Sequence, residues 1–70
     1  MTGMIHVTVN GKKRELEGPK SVLVFLTAND IDPRLIAVAH NSVVLHKDEY
    51  EQVVLKEGDS LEIVRMVGGG

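Results

Sequence analysis

The sequence predicts an α+β domain, a mixed sheet of four or five strands with one main helix packed on one face. Three observations predict it. Several short β-branched runs are bounded by turn residues. A single run carries apolar residues three and four apart behind a Ser. The chain has 70 residues, room for one domain and one core. A chain this small buries only about 60% of its unfolded surface, so its apolar 43% is needed for that core. Little is left to wall a preformed substrate pocket, which needs about 300 Å³ or more.

The elements follow in order. From Met4 to Val9 the chain alternates, with Ile5, Val7 and Val9 on one face and His6 and Thr8 on the other, which reads as a half-buried strand. Asn10-Gly11 supplies the two positive-φ residues of a type I′ hairpin turn. Residues 12–16 are the return strand, and their charges suit a sheet edge. Gly18-Pro19 breaks the pattern, and Ser21, or Lys20 before it, is a candidate N-cap. Val22, Leu23, Phe25 and Leu26 then form one helical face, which stops at Asn29-Asp30. Asp32-Pro33 closes the segment, because the residue before Pro avoids the helical region.

Residues 35–39 (Leu-Ile-Ala-Val-Ala) read as a buried strand, apolar on both faces. Asn41-Ser42 is a turn and residues 43–45 a short strand. Residues 46–52 are a charged helical turn or loop, and residues 53–55 an apolar plug. Lys56-Glu57-Gly58-Asp59 is a turn with Gly available for positive φ. Residues 61–67 are the last strand, and Gly68-Gly69-Gly70 leave it.

Composition excludes several chemistries. There is no Cys, hence no disulfide, no thiolate metal site and no Cys nucleophile. A small chain without such staples is expected in a reducing, cytoplasmic setting. The longest apolar runs are residues 22–26 and 35–39, far short of the roughly 20 residues of a membrane span, and no signal peptide is expected. A net charge of −2 with one Phe, one Tyr and no Trp lacks the basic, aromatic character of a nucleic-acid binder. The expectation is a protein without nucleic-acid or membrane partners.

Few residues form a catalytic pattern. His6, His40 and His46 have no metal-ligand spacing and are expected in solvated surface roles. No nucleophile elbow surrounds Ser21, Ser42 or Ser60. The pairs Asp30/Asp32 and Glu49/Glu51 read as solvated surface. No catalytic residue, metal site or bound cofactor is expected. The glycine triplet is the exception. A terminal carboxylate is ionised at neutral pH, with a pKa of roughly 3.5. Glycines lack Cβ, so Gly68 and Gly69 can thread a channel too narrow for any side chain. The triplet reads either as a frayed, flexible terminus or as the tail of a substrate whose chemistry is acyl activation at Gly70.

The whole chain resembles the ThiS/MoaD family of ubiquitin-like sulfur carriers, the ThiS type above all. The resemblance rests on Ile5-His6-Val7-Thr8-Val9-Asn10-Gly11, Ile31-Asp32-Pro33-Arg34, Ile36-Ala37-Val38-Ala39 and Asn41 before Val43-Val44. It continues with Leu55-Lys56-Glu57-Gly58-Asp59, Leu61-Glu62-Ile63-Val64 and Val67-Gly68-Gly69-Gly70. It implies the ubiquitin-like β-grasp fold over residues 1–67, with residues 68–70 a flexible tail. It also implies that a ThiF-like enzyme adenylates the Gly70 carboxylate, using ATP and Mg²⁺ of its own. A sulfur donor such as a cysteine desulfurase then yields a thiocarboxylate, which feeds thiazole synthase or another acceptor enzyme. Other members of the wider family serve molybdopterin synthesis, tRNA thiolation or protein tagging. The chain departs from the family pattern at Ser42, commonly Gly, and at Val24, often acidic.

The end of the last strand, beside the tail, reads either as ordinary packing under a neighbouring loop or as an exposed apolar docking face. Leu61 and Ile63 should face the core, which places Val64 and Met66 on the opposite face. With Arg65 and Val67 they are the candidate partner contacts, Met for adaptability and Arg for electrostatic orientation.

Overall fold

The computed structural model describes residues 3–66. Five strands form the main sheet: β1 (Ile5–Val9), β2 (Lys12–Leu16), β4 (Ile36–His40), β5 (Val43–Val44) and β7 (Ser60–Arg65), in the spatial order β2-β1-β7-β4-β5. Helix α1 (Val22–Ala28) covers one face. A second, two-stranded sheet pairs β3 (Lys20–Ser21) with β6 (Val54–Leu55).

The predicted first hairpin forms as read. Asn10 and Gly11 take φ of 51° and 83°, and Ile5 pairs with Leu16 through to Val9 with Lys12. β2 is indeed an edge strand. The second turn also has two positive φ values, 49° at Asn41 and 74° at Ser42, and Ser pays a steric penalty there that Gly would not.

The core is built on the α1 side. Val22, Phe25 and Leu26 are buried from the helix, meeting Ile5, Val7, Val9, Ile36, Val38 and Leu61 of the sheet. Ser21 is the N-cap, its Oγ accepting the Val24 N–H at 3.1 Å. The first-turn N–H groups of a helix have no partners within it. Here Val22 N–H donates to the Val53 carbonyl and Leu23 N–H to that of Tyr50. The small sheet and the segment before β6 thus finish the helix. Tyr50, read from sequence only as part of a charged loop, is buried there, as is Leu55 of the expected apolar plug.

Two expectations are corrected. Leu35 does not begin β4; it ends a 3₁₀ turn, Pro33–Leu35, and is exposed. Asp32 causes this, since its carboxylate accepts the Arg34 N–H and Pro33 sits at the first position of the turn. Nor is β4 buried on both faces. Ile36 and Val38 are buried, Ala37 and Ala39 only in part, because among the described residues no layer covers the outer side of the sheet. Helix α1 likewise leaves Val24 half exposed, so that apolar departure from the family pattern faces solvent.

Candidate functional site

Strand β7 is central, parallel to β1 and antiparallel to β4, and it carries the three described docking candidates at its trailing end. Alternation places Leu61 and Ile63 toward the core, with Leu61 fully buried. Val64 is 61% and Met66 51% exposed on the outer face. Arg65 is exposed on the helix side. The expected inward–outward division of this strand is therefore observed. Val67, Gly68, Gly69 and Gly70, the remaining candidates, lie outside the described residues.

Met66 is anchored by its backbone. Its N–H donates to the Leu35 carbonyl at 2.9 Å, extending the β4–β7 ladder past Ile36–Arg65. The 3₁₀ turn ending at Leu35 thus positions the departure point of the residues that follow.

Val64 does not stand alone on the outer face. It pairs with Ala37, while Ala39 pairs with both Glu62 and Val44. Two alanines between two valines leave a dip of about 220 Å³, floored by Ala37 and Ala39 and walled by Val44 and Val64. Val43 and Val44 are the most exposed large apolar residues described, at 62% and 72%. Sequence reasoning named Val64 and Met66 but not Val44, Ala37 or Ala39. The alternation of large and small in Ile36-Ala37-Val38-Ala39 was the available signal. These residues form an exposed apolar patch, with Glu62 also lining the dip.

A second hollow, about 350 Å³, lies on the other side of the strand end. Ile31, Leu35 and Ile63 line it, with Asp30, Asp32 and Arg65 at the rim. Arg34 holds Asp32 by Nη2 to Oδ2 at 2.8 Å and Nε to Oδ1 at 3.1 Å. Those bonds, with the Arg34 N–H, lower the Asp32 carboxyl from 3.8 to about 2 and raise the Arg34 guanidinium above its usual value. Arg65 has no ion pair among the described residues.

The histidines take no part at this end. His6 is exposed between Glu15 and Glu57 at 3.4 Å each, a surface role as expected. His40 departs from expectation: its side chain is 20% exposed and its Nε2 lies 2.8 Å from Asp59 Oδ2. Burial pushes the Asp59 carboxyl up, but bonds from His40, the Lys56 N–H and Asn41 outweigh it and hold the group below its ordinary value. This network braces the turns at the leading end of β7, since His40 is opposite Leu61. No cluster of three or more His, Cys, Asp or Glu able to hold a metal occurs among the described residues.

The geometry is thus a small sheet with an apolar patch on the β4, β5 and β7 part of its outer face, and a central strand whose end leads to a glycine triplet. The sequence model of the ThiS family matches residues 7–70. The chain belongs to the ThiS family. The crystal structure of the thiamine biosynthesis protein ThiS from Geobacter metallireducens is similar, with a TM-score of 0.83 at 29% identity over 94% of this chain and 100% of that one. The fold is the β-grasp expected from the family resemblance. Thiazole synthase from Paramagnetospirillum magneticum is 36% identical over 94% of this chain, and that from Magnetococcus marinus 31% identical over the same share. The chain spans only 20% of the length of either synthase. No helix among the described residues is long and apolar enough to cross a membrane.

Proposed function

We propose that this ThiS-family chain carries sulfur on Gly70 for the thiazole ring of thiamine. A ThiF-like enzyme uses ATP and Mg²⁺ to convert the Gly70 carboxylate to an acyl-adenylate, releasing pyrophosphate. The terminal sulfur of a donor persulfide, such as that of a cysteine desulfurase, then attacks the acyl carbon and displaces AMP. A thiol reductant cleaves the resulting acyl disulfide to leave the thiocarboxylate. Thiazole synthase accepts that sulfur. The chain is a protein substrate in each step, and the nucleotide and metal belong to the partner. Gly68 and Gly69 enter the partner's active site, where the absence of Cβ matters.

The observation that carries this reading is the extent of the two matches. The family match runs through Gly70, and two thiazole synthases contain a segment similar to nearly all of this chain. The apolar outer face beside Val64 and Met66 supports docking that leads the tail into the partner.

Intact-mass spectrometry tests the chemistry. The full chain, incubated with a ThiF-like enzyme, ATP, Mg²⁺ and a sulfur donor, should exchange one oxygen for sulfur. A chain lacking Gly70 should not. Modification of the shortened chain would overturn the assignment to Gly70. Transfer to a molybdopterin-synthesis or tRNA-thiolation acceptor but not to thiazole synthase, or Lys-linked conjugates in cells, would overturn the thiazole assignment.

A further inference from the structure

Among the described residues, the trailing half of β7 has one open side. Backbone groups of alternate residues point to opposite neighbours. Met66 N–H reaches toward β4, at the Leu35 carbonyl, so Val64 faces β4 as well. Leu61 faces β1, its carbonyl accepting the Asn10 N–H at 2.9 Å, and Ile63 and Arg65 share that direction. The β1–β7 register ends at Val9 and Leu61, because the chain turns away at Asn10.

The Asn10 side chain then substitutes for the missing strand. Its Oδ1 accepts the Ile63 N–H at 2.8 Å, and its Nδ2 donates to the Ile63 carbonyl at 3.3 Å. A primary amide presents its oxygen and one of its N–H groups side by side, as the C=O and N–H of one strand residue do. Arg65 is next in the same direction, and its N–H and carbonyl have no hydrogen-bond partner across the β1 side among the described residues.

We infer that this edge is a strand-addition site for an extended segment of the ThiF-like adenylating enzyme. Unpaired strand edges are templates for such addition. The side chains say what the segment carries. Val64 and Met66 call for an apolar residue on the outer face, and the unpaired Arg65 guanidinium calls for an acidic one on the helix side. A second copy of the chain is a poor occupant, since a two-fold pair about Arg65 sets guanidinium against guanidinium. Pairing here would fix the direction in which the following residues enter the partner. The inference takes its partner from the sulfur-carrier reading above.

The test uses the full chain with a purified ThiF-like enzyme. Three quantities are measured: amide exchange at Arg65, affinity, and ATP–pyrophosphate exchange. The Arg65 amide should exchange at least about tenfold more slowly in the complex. Arg65→Ala removes the charge and keeps the N–H. Arg65→Pro removes both, yet spares the β4 ladder, which does not use that N–H. Arg65→Pro should bind about three- to tenfold more weakly than Arg65→Ala, the range for one hydrogen bond. Where Arg65→Pro fails to fold, amide exchange on the unaltered chain decides alone. Normal adenylation with an unprotected Arg65 amide, or equal affinity of the two folded variants, overturns the edge site and leaves the sulfur-carrier reading standing. Protection only with a thiazole synthase overturns the choice of partner. Neither complex nor adenylation overturns both.

Discussion

At Ser60 and Leu61, β7 is enclosed, with β1 on one side, β4 on the other and Leu61 fully buried beneath α1. The turns there are tied by His40, Asn41 and the Lys56 N–H, all bonded to Asp59, and by the Ser60 N–H donated to Asn41 Oδ1. Five residues on, Arg65 and Met66 keep β4 alone, and Val64 and Met66 lie open to solvent. One strand thus concentrates its stabilisation at one end and its exposed apolar surface at the other. A 70-residue chain has little stability to spare, so apolar side chains used for a partner must be ones the core does not need.

Truncation at the two ends is the severest way to break this comparison. Leu61→Ala should cost about 2–5 kcal/mol in chemical denaturation, because it opens a cavity in a filled core. Met66→Ala should stay within about 0.5 kcal/mol. Equal losses would show that the open end also supports the fold.

The polar brace comes next. Asp59→Ala should cost about 1–3 kcal/mol, since three donors lose their acceptor. Its pH dependence has a definite sign. The folded Asp59 carboxyl is held below its ordinary 3.8, so the unfolded chain binds the proton first. The stability it supplies is present above about pH 4 and lost as pH falls below that. Asp32, held at about 2 by Arg34, titrates in the same direction but is exposed, so screening weakens its contribution. Denaturation midpoints at about pH 5 and about pH 3 should therefore differ less in Asp59→Asn than in the unaltered chain.

The contact end is probed by charge. Val64→Lys should leave stability within about 0.5 kcal/mol and weaken binding to the adenylating enzyme about tenfold or more. Binding unaffected by Val64→Lys would remove the outer face from the docking surface. The smallest effect is at the β4–β5 turn beside the brace. Ser42→Gly should stabilise by about 0.5 kcal/mol, relief at φ of 74° being partly offset by a freer unfolded chain.

Much of this was legible in the chain. The Asn10-Gly11 turn, the Ser21 cap, the Gly58 turn and the sides taken by Leu61 and Val64 each follow from a short pattern. Local sterics or period-two alternation decides them with no distant residue involved. The glycine triplet and the family pieces were equally local. Other features were not local. Tyr50 sits among charged neighbours and is buried because the start of α1 needs carbonyls from its segment. Ala37 and Ala39 read as core until the outer face proved uncovered, since alternation says which residues share a face but not which layer lies over it. His40 and Asp59 are 19 residues apart and meet only because β4 and β7 pair. Asn10 shows both kinds of causation. Its place in the turn belongs to the dipeptide, whereas its clasp on Ile63 exists only because the two ends of the chain pair in parallel. Backbone preference acts within a few residues and is written in them. Coverage of a face and the partner of a polar group depend on which distant segments the fold brings together.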